Sequence, residues 1–484
     1  WGNITMNILI VGNGFDLSHY LPTKYDHFMD VMEAIESKET GGLPLNFEDK
    51  NLEEWLKSLN SIFEKRKALD QPMYEMNFED LFSKCRDSRF IAKTREYYDV
   101  QNIVLTPKMV IEIQYRLAKN CWYQYFKDHV KEIKTWIDFE QKIESVLIAH
   151  AECILDLDRI SDSEKIYKYF EINNLEDNKI KKINEKILNF FKFIIIEVMD
   201  KKTSLTSNGM VLHSSTGNPT KRKNINPIFC HGGELKNGFS PALFLDFLYL
   251  QLDQFIEIFN LYLDLIVSQL ASKSQVDIQS ENWVSPDKIF SFNYTNTYQR
   301  IHDSLPVEYL HGSHGEFQNI VLGVSEIEDE SLQKLKAYGF TKYHQKLFKG
   351  TDYLFLDDYK ATINSIRKEI KFLEQQVLAP MGERYIRVLH EQLKNKEASQ
   401  SLDLNFFIWG HSLDGSDKDY IKDLFSLNDE MDRNVRVTVY YFDSNAKFSL
   451  LNNLLAILGK DKVELWMKKG WLKLEENPKI NFGI

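Results

Sequence analysis

Asn293 and His311 are the residues whose types and spacing best fit chemistry. Asn293 ends the apolar run Ile289–Phe292, and His311 ends the run Val307–Leu310. A short helical pattern carrying Tyr298 and Ile301 lies between them. An amide can fix a ribose hydroxyl, and an imidazole can take a proton. Two more β-rich runs stop on similar groups. Asn7–Val11 leads into Gly12, Asn13, Gly14, Phe15 and Asp16, and Leu404–Trp409 leads into Gly410, His411 and Ser412. In open α/β sheets ligands bind beyond the carboxyl ends of the strands. Gly12, Gly14, Asn293, His311 and Ser412 are therefore expected to line one cleft, with Asn13, Phe15, Gly312 and Gly410 beside them. Taken singly, Asn293 caps a turn and His311 is a polar loop residue.

Strand, glycine turn and helix in succession are how a dinucleotide fold begins. Gly12 permits the turn, and Gly14 lets a phosphate approach the backbone at a helix start. Leu17 stands where a third glycine would complete the fingerprint. Asp16 either caps the helix or enters the site, where a carboxylate suits a ribose or the reacting centre better than a phosphate. Pro22 breaks the first helix, and Thr23 is a suitable N-cap for the next, which carries Tyr25 and Phe28.

The elements that must position these groups come from both ends of the chain. Strands are expected at 7–11, 288–292, 307–310, 319–322, 404–409 and 436–442, with a short terminal one at Val463–Trp466. Helix Phe448–Leu458 precedes it. Between them, Leu52–Lys67, Met109–His129, Phe139–Leu157, Ile180–Met199 and Ser240–Ser272 carry helical periodicity. The polar stretch Lys201–Asn226 reads as a loop. The alternating charges of Ile363–Asn395 read as a solvated helical hairpin. Asn77–Asp80 and Trp136–Glu140 both precede periodic apolar runs and read as helix starts. The expected fold is α/β, with a Rossmann-like parallel sheet assembled from both chain ends and a large inserted α-helical domain. The core comprises 1–30, 285–330 and 403–484, the helical insertion 31–284, and the hairpin insertion 331–402.

Composition narrows the function. With 484 residues and 43% apolar content the chain can bury a full core. A formal net charge of −11 argues against general nucleic-acid binding, and the basic run Lys221–Asn224 is too short to reverse that. Cys85, Cys121, Cys153 and Cys230 form no close pair, which argues against a structural zinc module and for free thiols in a reducing compartment. Cys230 and His231 alone do not make a metal site. The longest apolar stretch, Phe190–Met199, is broken by Lys192 and Glu197 and is too short to span a bilayer. No signal peptide is evident, so a cytoplasmic location is expected. Trp1–Thr5 reads as a tag scar, with Met6 as the natural start.

Ile10–Leu17, Leu21–Thr23, Trp136–Glu140, Phe292–Thr295, Leu310–Gly312 and Gly410–Ser412, in that order, resemble the AbiH family of bacteriophage abortive-infection proteins. The same core is similar to a distant sirtuin-type fold. There a glycine loop, an Asn-bearing strand end, a His-Gly and a Gly-aromatic-Ser element surround NAD. Gly12–Gly14, Asn293, His311–Gly312 and Gly410–Ser412 match these in turn, with His411 for the aromatic. The resemblance implies an antiphage effector that takes NAD as substrate and hydrolyses it to nicotinamide and ADP-ribose, without a metal. Asn293, His311 and Asp16 would be catalytic. It also implies control by a homo-oligomer or a partner defence protein. The paired cysteines of deacetylating sirtuins are missing, which disfavours deacetylation. Two other readings stand beside it: a nucleotide-binding sensor without catalysis, and a nuclease or RNA-directed transferase.

Overall fold

The computed structural model describes residues 5–39, 54–55, 57–58, 60–61, 74–129, 136–158, 182–199, 220–280, 283–352, 354–378, 382–399, 403–429 and 434–483. Six strands form one sheet: β1 (Thr5–Val11), β2 (Lys288–Ser291), β3 (Val307–Tyr309), β4 (Asp403–Trp409), β5 (Val435–Tyr441) and β6 (Leu472–Glu476). All neighbours are parallel, in the order β3-β2-β1-β4-β5-β6. That is the 3-2-1-4-5-6 order of doubly wound dinucleotide-binding sheets, and its direction reverses between β1 and β4. β1 pairs with β4 along its whole length, with Val11 opposite Trp409, and Ile8–Val11 pair with Lys288–Ser291. Segments nearly 400 residues apart in sequence are thus neighbours, as the sequence leads one to expect.

The central strands β1, β4 and β5 are largely apolar because both faces are covered. Ile8 and Ile10 pack with Phe290, Phe406 and Ile408 on one face. Leu9 and Val11 pack with Phe15, Ile289, Trp409 and Tyr440 on the other. The helices that bear on the site are α1 (Asn13–Ser18), α2 (Tyr25–Glu36), α3 (Trp136–Asp158), α4 (Pro241–Tyr262), α5 (Thr297–Ile301) and α6 (Lys342–Lys349). A larger core unites Tyr25 and Phe28 of α2 with Phe139, Phe255 and Phe259, and also takes in Ile320, Leu322 and Phe340. Helices α7 (Asp357–Val377) and α8 (Glu383–Ser399) form the expected hairpin and pack on each other. Asn77 and Asp80 form a reciprocal capping box, as expected.

Several local expectations fail, each for a visible reason. Residues 319–322 are extended but lie outside the sheet. The Gln345 side chain takes the place of a neighbouring strand, accepting from the Leu322 N–H and donating to the Leu322 carbonyl, both at 3.0 Å. Val463–Trp466 belongs to the helix Lys460–Lys468, and the sheet's last strand is β6, whose Lys473, Glu475 and Glu476 suit a sheet edge. The helix expected over Ile180–Met199 stops at Phe190. The β-branched run Ile194–Met199 then pairs antiparallel with Thr220–Ile225, so the basic run lies on a strand and not in a loop. Met109–His129 is two helices broken at Asn120, whose side chain caps the second through the Tyr123 N–H. Most of Leu52–Lys67, residues 1–4 and residues 201–219 lie outside the described residues.

The loops after β1 and β4 touch backbone to backbone. The Gly12 N–H donates to the Trp409 carbonyl at 3.0 Å and the Gly14 N–H to the Gly410 carbonyl at 2.8 Å. A Cβ on Gly410, which has φ +74°, would sit 2.0 Å from the Phe15 nitrogen. Gly410→Ala is therefore expected to lower the unfolding free energy by at least about 2 kcal/mol, from left-handed strain and the forced separation of the loops. Gly415→Ala, whose methyl would meet nothing, should stay within about 0.5 kcal/mol of wild type. Urea denaturation of the two variants checks this.

Candidate functional site

A cavity of about 340 Å³ lies at the carboxyl ends of the strands, beside the switch between β1 and β4. Gly12, Asn13, Asp16, Asn293, His311, Gly410 and Ser412 all line it. Three residues expected there do not. Phe15 is fully buried in the core, edge-on to Trp409 at 5.0 Å. A Cβ on Gly312, at φ +79°, would fall 2.0 Å from the Asn319 carbonyl oxygen, so this glycine serves a tight backbone crossing. Gly14 packs against Gly410, and its amide is engaged by that residue's carbonyl. The Gly12–Gly14 turn is therefore a packing device: neither glycine amide is free to hold a phosphate, and a bulky residue at position 14 would disturb the loop pair itself.

Asp16 is within α1 and caps nothing. The short helix turns its carboxyl into the cavity, where Oδ2 accepts from the Thr295 hydroxyl at 2.6 Å. Thr295 accepts in turn from the Thr297 hydroxyl at 3.1 Å. Oδ1 of Asp16 is buried without a hydrogen-bond partner. Burial raises the Asp16 pKa to about 6, against the opposing bonds from Thr295, Thr297 and Asn293. Asn293 is held by reciprocal bonds between its backbone and the Ser291 hydroxyl, and its Nδ2 donates to the Gly12 carbonyl at 2.9 Å. It ties β2 to the loop after β1 while lining the cavity. Thr23 is not the cap of α2, whose capping position is Lys24; it lines the same cavity, and its hydroxyl is buried without a partner.

The opposite wall is built around Asp417, in the turn that starts the helix Lys418–Ser426. Its Oδ1 lies 3.0 Å from His311 Nε2 and 3.7 Å from Lys342 Nζ, and its Oδ2 lies 3.3 Å from His411 Nε2. The His311 contact is close but off the hydrogen-bond axis, leaving both atoms without an aligned partner. His411 has both nitrogens engaged: Nδ1 accepts from the Leu413 N–H at 3.0 Å, so Nε2 carries the hydrogen facing Asp417. Lys342 also reaches Glu140 of α3 at 2.8 Å. Burial opposes ionisation of Asp417, but Lys342 and the two histidines outweigh it and hold the carboxyl well below its usual range. Burial pushes His311 down to about 3, against the pull of Asp417. This imidazole is neutral at working pH, and does not titrate there as its ordinary pKa suggests. Burial raises Glu140 to about 7 despite Lys342.

Sequence reasoning missed Lys342, Glu140, Thr295, His411 and Asp417 as site residues. Thr295 and Glu140 sit within motifs already noticed, and Glu140 was read as a helix-start residue. Lys342 lies in a charged helical stretch that gives no local signal. Among the described residues no three His, Cys, Asp or Glu side chains gather so as to hold a metal ion. No described helix is long and apolar enough to cross a membrane.

Asp16 gives a test of this geometry. A carboxyl with a raised folded pKa favours folding fully below its unfolded value of 3.8, and that advantage is lost as pH rises through about 6. Asp16→Asn keeps the acceptor for Thr295 and removes the buried charge. It is expected to be more stable than wild type at pH 7–8, by up to about 3 kcal/mol, with the difference vanishing near pH 4. Denaturant unfolding across that range measures it.

Comparison with known proteins agrees with the motif order. No curated protein and no solved structure gives a significant match. The family model described as "Bacteriophage abortive infection AbiH" matches residues 8–223 and 245–441, spanning β1, the helical layer and β2 to β5. The chain belongs to the AbiH family of bacteriophage abortive infection proteins.

Proposed function

We propose that this protein is an abortive-infection effector that hydrolyses the bond between nicotinamide and ribose in NAD. The observation that carries the reading is the pairing of two polar walls in one cavity at the sheet's switch point. Asp16, with a buried unpartnered oxygen, lies beside Asn293 on one side, and His311 lies against Asp417 on the other. The cavity offers carboxylates and hydroxyls, which suit a ribose next to a cationic ring. Its two lining ammonium groups, Lys342 and Lys24, are already paired with Glu140 and Asp87. A site for a polyphosphate would need free cations or free amides.

In this reading the glycosidic C–N bond breaks with its electron pair going to the ring nitrogen, so nicotinamide leaves neutral. The sugar is left oxocarbenium-like, and the Asp16 carboxylate faces the developing positive charge. Water adds to the anomeric carbon, and His311, neutral and oriented by Asp417, accepts the proton that this water loses. The products are nicotinamide, ADP-ribose and a proton. Asn293 orients the ribose or the water, and Ser412, exposed at the mouth, contributes to binding more than to turnover. The likeness of the motif set to sirtuin-type NAD sites supports the choice of nucleotide. Draining NAD is lethal, so turnover in the cytoplasm is held in check by the helical layer, by self-assembly or by a partner protein until infection.

Chromatographic assay of nicotinamide release from NAD tests the proposal. Asp16→Asn, Asn293→Ala and His311→Ala should each lower the rate by roughly a hundred- to ten-thousand-fold. The wild-type rate should climb with pH through about 6, as Asp16 ionises. A wild type that binds NAD but leaves it intact under every activating condition would make the protein a nucleotide sensor instead.

A further inference from the structure

The wall opposite Asp16 poses a problem of charge. Asp417 is almost fully buried, and the two cationic candidates for its Oδ1 are an imidazolium at His311 and the ammonium of Lys342. A carboxylate facing a histidine alone stabilises the protonated ring, which can no longer accept a proton. Here the ammonium is present, and it does not come from the sheet. It sits at the start of α6, within 3.3 Å of the Ser416 hydroxyl, and its closest partner is Glu140 at 2.8 Å, carried by α3 from the helical layer. All three side chains are nearly buried and all line the cavity. Buried ion pairs of this kind add little stability compared with apolar packing, so their presence in a cleft points to function.

We propose that Lys342, gripped by Glu140, takes the position against Asp417 that an imidazolium would otherwise hold, and thereby positions His311 as a neutral proton acceptor. The proposal rests on the reading of His311 as the acid–base group of this cavity. His311 then directs Nε2–H toward Asp417 and keeps Nδ1 as its accepting nitrogen. Lys342 and Glu140 touch no reacting atom in this scheme; they are positioning residues, and they make the helical layer a functional half of the site. The other groups facing His311 agree with it. Lys346, one turn along α6 and bonded to the Tyr420 hydroxyl at 2.9 Å, adds a second positive charge that disfavours a proton on the ring. Tyr420 and Phe292 present ring edges, and His411, with both nitrogens engaged, serves Asp417 from its other oxygen.

Histidine-selective nitrogen NMR of the full chain across pH decides the matter without requiring turnover. In the wild type His311 should stay neutral down to about pH 5, with Nε2 protonated. In Lys342→Met its titration should rise by about one unit or more, because the competing cation is gone. Lys342→Arg should keep the wild-type titration. Where Lys342→Met does not fold, Lys342→Gln, which keeps polar reach to Glu140 and Ser416, carries the same expectation. A His311 titration unmoved in folded Lys342→Met or Lys342→Gln overturns the proposal. A wild type that releases no nicotinamide overturns the proposed reaction but leaves the NMR result to decide the role of Lys342.

Discussion

The contact on which the site depends is the backbone crossing of Gly12–Gly14 over Gly410. Two hydrogen bonds, Gly12 to Trp409 and Gly14 to Gly410, join the loops that leave β1 and β4. At that point the sheet reverses direction, and diverging connections would otherwise leave an open crevice. Closing the crevice at backbone distance leaves no room for a side chain at any of the three glycines. It also fixes where Asp16 and His411 emerge, since each lies within a few residues of the crossing. Asn293 adds the third strand by donating to the Gly12 carbonyl. The floor of the cavity is therefore two loop backbones bonded to each other, with the Asn293 side chain bonded to the first, and a side chain on it has little freedom to drift.

The remaining wall comes from the helical layer, and it is joined to the sheet by charge as well as by packing. Trp136 and Phe259 pack together at 4.6 Å beside the cavity, and Glu140 lies one turn beyond Trp136 on α3. The Glu140–Lys342–Asp417 array spans helical layer, α6 and the β4 side of the sheet. Separating the layers would return these groups to water and relax every shift that burial imposes on them. The same contacts that shape the cavity thus set the protonation of its side chains.

The sequence made the sheet legible because buried parallel strands are continuous apolar runs, and five of the six strands end on a glycine or a polar group whose purpose is plain. The edge strand β6 escaped because an edge needs charge more than apolar content. The run 319–322 misled because one Gln345 side chain supplies the bonds of an absent strand. In the site, Asn293 and His311, which sit at strand ends, were found, and Lys342 and Glu140, delivered by helices, were not. Asn293 and His311 announce themselves by breaking an apolar run. Lys342 interrupts no apolar run: its neighbours in sequence are Thr341 and Tyr343, and its partners are some 75 residues onward and 200 residues back. Gly14, Phe15 and Gly312 were placed at the cavity because a glycine needed for close packing and one needed for a ligand look alike in sequence.

Burial acts on this cavity in opposite directions for its two kinds of acid–base group, and that decides what responds to pH. It drives His311 down to about 3, far from neutrality, and raises Asp16 to about 6 and Glu140 to about 7. The imidazole is thereby held neutral, and the carboxyls are the groups whose charge changes near working pH. A ligand carrying positive charge favours the ionised carboxyls and is favoured by them, by the same interaction seen from either side. A ligand without that charge meets a protonated Asp16 at low cost and gains nothing from its ionisation. On the proposed reading the cavity favours a cation next to Asp16, and more sharply as water is excluded. The glycine amides of this site are already engaged by backbone carbonyls, so the buried carboxyls are the groups left to respond to charge.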